Sequence, residues 1–229
     1  MLLITGASSG IGAATARRAS EAGHRLALGA RREERVRELV TELGGEGRAV
    51  GVRCNVAEWD DNQALARSAL DSFGRIDAVF ANAGVGAKRG FLEESPEEWR
   101  SMVLTNVLGV ALTIRATLPH LLERGTGHYL LTSSVGGRRI LPGSLYSATK
   151  WSVTAMGEAL RLELRQMHDN SGIRVTLIEP GMTDTAFFDE RPPGALADDD
   201  IARAVMYALS EPEHVDVNEI LIRPSSQAG

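Results

Sequence analysis

The stretch Leu2-Leu3-Ile4-Thr5-Gly6-Ala7-Ser8-Ser9-Gly10-Ile11-Gly12-Ala13-Ala14 decides the fold. A short apolar run leads into a glycine- and serine-rich turn, and an alanine-rich segment of helical periodicity follows. Three glycines spaced GxxxGxG allow a sharp turn, a close approach of backbone to a pyrophosphate, and tight packing of the helix on the strand. The helix N-terminus then points at the anion. The spacing is neither GxGxxG nor a Walker loop, which would need Lys-Ser/Thr after the last glycine. A glycine turn without a ligand would satisfy the glycines alone, but the position directly after a first strand favours phosphate. Gly6, Ser8, Ser9, Gly10, Ile11 and Gly12 are the expected contacts.

Beyond this turn, apolar runs alternate with amphipathic stretches along the chain, the βαβ pattern of a parallel sheet covered by helices on both faces. The pattern predicts strands over 2–5, 25–29, 48–53, 78–81, 127–132, 174–178 and 219–222. Helices are expected over 11–22, 33–43, 59–73, 96–123, 144–167 and 198–209. The expectation is an α/β, Rossmann-type doubly wound sheet of seven mostly parallel strands, with residues 1–229 forming one domain. Ser95-Pro96-Glu97-Glu98 reads as an N-cap, a proline at the first helical position and acids in the first turn. Asp198-Asp199-Asp200 reads as helix-start acids and not as a metal site.

Tyr146 and Lys150 stand four residues apart in a helical stretch, so both side chains share one face. A phenol with its usual pKa near ~10 is a poor acid/base near neutrality, but an adjacent ammonium and an oxidised nicotinamide favour the phenolate. An isolated Tyr-x-x-x-Lys is most often a half-buried tyrosine beside a solvated lysine. The neighbouring residues change that reading. Ser133 and Ser134 end a predicted strand at the carboxyl edge of the sheet, where open α/β sheets bind ligands. Asn82, with Ala83 and Gly84, ends another strand. Asn106 is an amide in mid-helix that demands hydrogen-bond partners.

On these residues the sequence resembles the short-chain dehydrogenase/reductase family over nearly its whole length. The matching elements are Thr5 to Gly12, Asn82-Ala83-Gly84, Asn106, Thr132-Ser133-Ser134, Tyr146-x-x-x-Lys150 and Pro180-Gly181, which are jointly specific. The resemblance implies that Tyr146 is the general acid in reduction and that Ser134 polarises the carbonyl. It implies that Lys150 binds the nicotinamide ribose and lowers the tyrosine pKa, and that Asn106 holds a relay water. Strand-end alignment selects Ser134, whereas spacing to Tyr146 favours Ser133. Asn55, beside Val56, stands where the family usually carries an aspartate facing the adenine amino group, and its amide oxygen retains acceptor ability. Thr183 replaces the usual valine, where backbone would meet the nicotinamide carboxamide, and Thr185 adds a hydroxyl. Residues 183–197 correspond to the substrate lid, here short, with Phe187-Phe188 and Pro192-Pro193-Gly194.

The resemblance also bears on the cofactor. NAD-selective dinucleotide folds carry an acid at the end of the second strand. Here Leu28-Gly29-Ala30-Arg31-Arg32 lacks it: Ala30 stands where the family's NAD-dependent members carry Asp, and Arg31 where NADP-dependent members carry a base. A guanidinium can grip a 2′-phosphate through two charge-assisted hydrogen bonds, so Arg31 and Arg32 predict NADP(H).

Other features narrow the class. The 229 residues are 43% hydrophobic and 24% charged, as in an ordinary globular protein. The net charge of -5 argues against a nucleic-acid partner. No uninterrupted apolar run reaches the roughly 20 residues of a membrane span, so no membrane partner is expected. Met1 leads into Leu2 with no basic n-region, and Cys54 is the single cysteine, both of which point to the cytoplasm. Five scattered histidines and no HExxH disfavour metal hydrolysis. A sugar-nucleotide epimerase would need more chain after Ile178. A non-catalytic NADP sensor is the main alternative, although it would not need the proton relay. The substrate class is a small carbonyl or alcohol, with 3-hydroxy acids suggested by analogy. Leu104, Val107, Leu108, Val110 and Leu112 nearly encircle their helix, which points to a homodimer or homotetramer.

Overall fold

The computed structural model describes residues 1–86, 88, 90–141, 145–170, 172–185 and 193–227. In chain order the elements are β1 (Leu2–Thr5), α1 (Gly10–Glu21), β2 (Leu26–Ala30), α2 (Glu33–Glu42), β3 (Ala49–Arg53), α3 (Trp59–Phe73) and β4 (Ala78–Ala81). They continue with α4 (Pro96–Val103), a π-helical turn (Leu104–Leu108), α5 (Gly109–Arg124), β5 (Gly127–Thr132), a 3₁₀ turn (Val135–Gly137), α6 (Leu145–Gln166), β6 (Ile173–Pro180), α7 (Asp198–Ser210) and β7 (Glu219–Ile222). The strands form one sheet of seven in the order β3-β2-β1-β4-β5-β6-β7. Every pairing between these strands is parallel, so the expected "mostly parallel" sheet is fully parallel among the described residues.

Burial follows from the position of each strand. The interior strands β1, β2, β4 and β6 are buried at every residue, as strands covered on both faces must be, whereas β7 at the edge alternates exposed with intermediate. The side-chain alternation of β1 divides the core in two. Leu3 joins Val79, Leu131 and Leu177 beneath residues of α3, α5 and α6 such as Leu65, Leu121 and Val153. Leu2 and Ile4 join Leu28, Phe80 and Ile178 beneath α1, α2 and α7, through Ala16, Val36 and Val205.

The predicted boundaries move by a residue or more at several ends. β2 runs one residue later than expected and β6 extends through Pro180. The N-cap at Ser95 forms as the sequence implies and closes into a capping box: Glu98 N–H donates to Ser95 Oγ and Ser95 N–H donates to Glu98. At α7, Asp200 accepts the N–H of Ala197 and Asp199 pairs with Arg18, so both acids serve the helix and its docking on α1.

One expectation about the long helix needs correction. The single helix over 96–123 is three segments, because a π turn interrupts it at Asn106. By length and composition, the continuous stretch Pro96–Arg124 is also apolar enough to cross a bilayer. Uninterrupted apolar runs hid this, since Thr105, Asn106 and Thr113 break the run without lowering the average much. Within the fold these breaking residues face inward, with Thr105, Asn106, Thr113 and Thr117 all buried.

Candidate active site

The strand order reverses between β1 and β4, and their carboxyl ends open a crevice there. Gly6 sits at φ +69°, and a Cβ on it would lie 2.8 Å from Ala83 Cα; one on Gly12 would lie 2.4 Å from the Gly6 carbonyl oxygen. Both positions therefore require glycine for the turn to nest against α1 and the end of β4. Thr5 Oγ1 accepts the N–H groups of Asn82 (3.1 Å) and Ala83 (3.2 Å). Asn82 Nδ2 donates to the Thr5 carbonyl (3.2 Å), and its Oδ1 accepts from Thr132 Oγ1 (3.2 Å). Asn82 thus ties the ends of β1, β4 and β5 together. Thr5 and Thr132 stand within the matched motifs but carry no expected site role there, and their hydroxyls complete the tie.

The crevice fits the pyrophosphate of a dinucleotide. Ser9 stands at the N-cap of α1 without a side-chain hydrogen bond to the helix backbone, and no acid lies in the first turn, which leaves the positive helix end available to an anion. Arg32 extends over this end, with Nη2 donating to Ser9 Oγ (2.7 Å) and Ser8 Oγ (3.0 Å). Arg31 and Arg32 are exposed, and neither has an acid within ion-pair distance among the described residues. Ile11 is partly buried at the start of α1, and the Thr185 methyl lies 3.4 Å from where a Gly10 Cβ would stand.

Asn55 and Val56, expected beside the adenine, behave differently from a simple motif reading. Asn55 Oδ1 accepts the Ala57 N–H at 3.3 Å, and the Asn55 N–H goes to Asp61 at 2.8 Å. One lone pair of the amide oxygen is therefore already used in a local turn. Val56 is buried, in the space next to Gly109. Cys54 follows β3, and burial pushes its thiol up to about 12, consistent with inert filler.

Tyr146 and Lys150 lie on α6, with Lys150 Nζ 5.6 Å from the Tyr146 ring centroid. Lys150 is only 2% exposed; its Nζ donates to the Thr132 carbonyl at 2.8 Å, and burial lowers its pKa to about 8. Burial raises the Tyr146 phenol above its ordinary value, and a hydrogen bond with Ser134 works in the opposite direction. The two serines have different surroundings. Ser133 Oγ donates to the Lys150 carbonyl (3.0 Å) and bonds Thr154 Oγ1 (2.8 Å), holding α6 against the sheet. Ser134 Oγ accepts the Gly136 N–H (3.0 Å) and lies 3.4 Å from the Pro180 carbonyl, on the Tyr146 side.

Asn106 is fully buried in the π turn. Its Oδ1 accepts the Val85 N–H (2.8 Å), and its Nδ2 donates to the Val85 carbonyl (3.0 Å) and to Thr149 Oγ1 (3.1 Å). Both amide hydrogens are used within the protein, so Asn106 can offer a water only an oxygen. Gly84 packs next to this amide: a Cβ there would be 3.3 Å from Asn106 Oδ1 and 3.6 Å from Lys150 Nζ.

Across the crevice, Pro180 ends β6 and the Gly181 N–H donates to the Ile222 carbonyl at 2.6 Å. Thr183 is buried, its hydroxyl donates to the Gly181 carbonyl (3.1 Å), and its backbone bridges Leu196. Phe187, Phe188 and Pro192 lie outside the described residues.

Comparison with known proteins agrees with this arrangement. The short chain dehydrogenase family profile matches residues 1–195. An uncharacterized oxidoreductase from Staphylococcus saprophyticus is 38% identical, over 100% of this chain and 97% of its own. An alcohol dehydrogenase from the archaeon Thermococcus sibiricus, solved with 5-hydroxy-NADP, superposes with a TM-score of 0.88 at 34% identity, covering 100% of this chain and 98% of that one. The closed form of a serine dehydrogenase with NADP+ gives a TM-score of 0.92 at 30% identity, covering 100% and 97%. Other solved matches carry NADH or NAD. With a nucleotide-binding Rossmann fold and these relatives, the chain belongs to the short-chain dehydrogenase family of nicotinamide-dependent oxidoreductases acting on CH–OH and C=O groups.

Proposed function

We propose that the protein uses NADP(H) to interconvert a small carbonyl compound and its secondary alcohol, with Tyr146 as general acid/base. The observation that carries this reading is the buried Lys150 ammonium 5.6 Å from the Tyr146 ring centroid, together with Ser134 hydrogen-bonded to the phenol. NADPH, when bound, supplies the hydride. Burial keeps the phenol protonated, so Tyr146 can give its proton to the substrate oxygen as the carbonyl carbon gains the hydride. Ser134 donates a hydrogen bond to that same oxygen and stabilises the charge it develops. Lys150 holds the ribose and favours the phenolate left behind, and Asn106 offers an oxygen to a water that restores the proton. Ser133 is assigned no chemical role, because its hydroxyl is engaged with Lys150 and Thr154.

On the cofactor side, Gly6, Ser8, Ser9, Gly10, Ile11 and Gly12 receive the pyrophosphate, and Asn55 and Val56 border the adenine. Asn82, Ala83 and Gly84 border the ribose, and Pro180, Gly181, Thr183 and Thr185 face the carboxamide and phosphates. The preference for NADP(H) is supported by Ala30 in place of an acid and by Arg32 poised over Ser8 and Ser9. Arg31 adds a second free cation. A 2′-phosphate bound there gains charge-assisted hydrogen bonds that NADH cannot offer.

The proposal treats residues 1–229 as one domain with 183–197 covering the substrate, a small polar alcohol such as a 3-hydroxy acid. It places the protein in the cytoplasm as a homodimer or homotetramer. The test is steady-state turnover of a carbonyl panel with NADPH and NADH, for wild type and Tyr146→Phe. The expected result is higher kcat/KM with NADPH and a kcat below about a tenth of wild type for Tyr146→Phe, since positioned acid/base groups contribute ~100-fold or more. Equal use of both cofactors would refute the arginine assignment, and a fully active Tyr146→Phe would refute the tyrosine one.

A further inference from the structure

The chain beyond β7 returns to the active-site edge. A Cβ on Gly181 would lie 2.4 Å from Gln227 Oε1, 3.0 Å from Arg223 Cγ and 3.1 Å from Arg223 Cα, so a side chain there would displace the Gln227 amide from the turn. Gln227 Oε1 accepts the Met182 N–H at 2.9 Å, and the Gln227 N–H closes its own turn onto the Pro224 carbonyl at 3.0 Å. Among the described residues the turn at 180–184 is also held by Gly181 N–H to the Ile222 carbonyl (2.6 Å), Leu196 N–H to the Met182 carbonyl (2.9 Å), Asp184 N–H to the Leu196 carbonyl (2.8 Å) and the Ser134 hydroxyl to the Pro180 carbonyl (3.4 Å). Gln227 supplies the side-chain acceptor for the Met182 N–H.

We propose that Gln227 is a positioning residue that fixes the turn receiving the nicotinamide half of the cofactor. The proposal rests on the assignment of Thr183 backbone to the carboxamide. Met182 directly precedes Thr183 and its N–H belongs to the Gly181–Met182 peptide, so the hydrogen bond to Gln227 fixes the peptide unit immediately before the one that must meet the ligand. Releasing it gives that peptide freedom which cofactor binding must then remove. The adenosine half is held across the crevice by the glycine turn and the arginines, and it is not touched by Gln227. The effect is therefore confined to one end of the cofactor.

This confinement gives a readout other than turnover. Binding of NADPH and of 2′,5′-ADP, which lacks the nicotinamide, is measured by calorimetry for wild type, Gln227→Met and Gln227→Glu. The methionine keeps the length of the side chain without the acceptor, and the glutamate keeps an acceptor oxygen. Gln227→Met is expected to weaken NADPH about fivefold to tenfold, ~1–1.4 kcal/mol, and to leave 2′,5′-ADP unchanged. Gln227→Glu restores NADPH binding to within about twofold of wild type, on the same conversion. Faster hydrogen exchange of the Met182 amide in Gln227→Met is the accompanying sign. Unchanged NADPH binding in Gln227→Met, equal loss for both ligands, or equal impairment of the two variants would each overturn the proposal. Wild-type protein that binds neither ligand would instead refute the NADP(H) reading on which it rests.

Discussion

Lys150 is buried without an acidic partner among the described residues, and its ammonium donates to the Thr132 carbonyl. The fold therefore pays for a charge that only the site can use. Burial lowers its pKa from 10.5 to about 8, and this direction has a consequence for stability. Below about 8 the lysine is charged in both the folded and the unfolded chain, and the full desolvation cost is present. Between about 8 and 10.5 the folded state releases its proton first, so stability rises with pH relative to a variant that lacks the group. Lys150→Met should lose turnover, and the Tm of wild type minus that of Lys150→Met, measured without cofactor, should increase from pH 8 to pH 10.5. A Tm difference independent of pH would mean that the ammonium is better solvated than its burial implies. Ser133 and Ser134 show the opposite case, in which neighbouring residues of one type differ only in their surroundings. Spacing and strand-end alignment disagreed about them, and the contacts of Ser133 with Lys150 and Thr154 support Ser134 as the one facing Tyr146.

At the scale of elements, the π turn between α4 and α5 does what a regular helix could not. It carries Asn106 inward, where one amide links the chain after β4, through Val85, to α6, through Thr149. Interruptions of this kind are frequent at functional sites, because the local change of register aims a side chain or frees backbone groups. Asn106→Ala would strip the partner from both polar backbone groups of Val85, at a cost of about 1–3 kcal/mol. For a chain of this size the expected fall in Tm is ~2–4 °C per kcal/mol. Asn106→Asp keeps the acceptor for the Val85 N–H and should fall between wild type and the alanine variant in a thermal scan. An Asn106→Ala Tm equal to that of wild type would show that the helix docks without this link. Periodicity alone predicts the long helix but not its interruption, since a π turn adds a residue without changing composition.

For the whole molecule, the open question is the outer face of Pro96–Arg124. Only a third of its most apolar window is buried within the chain, and Val103, Leu104 and Leu108 are each about two-fifths exposed, with Trp151 of α6 also open. A second copy of the chain would cover such a face at less cost than a bilayer would exact from the buried polar groups behind it. Light scattering at micromolar concentration should give two or four chain masses for wild type. Leu104→Glu combined with Leu108→Glu should shift the mass to one; a wild-type monomer would contradict the assembly. How much of this protein its sequence determines follows from the range of the forces involved. Strand and helix identities, the glycine turn and the Tyr146–Lys150 pairing are local, set by periodicity and by residue types within a few positions, and so the fold and most candidate site residues could be read directly. The long-range arrangements were left to the tertiary structure: Thr5 and Thr132 meeting at Asn82, Arg32 reaching Ser8 and Ser9, and Gln227 returning to Met182. Most of these contacts join residues distant in the chain, and they form only after the parallel sheet has brought its strand ends to one edge. Packing geometry, not residue type, decides which polar group each of them finds.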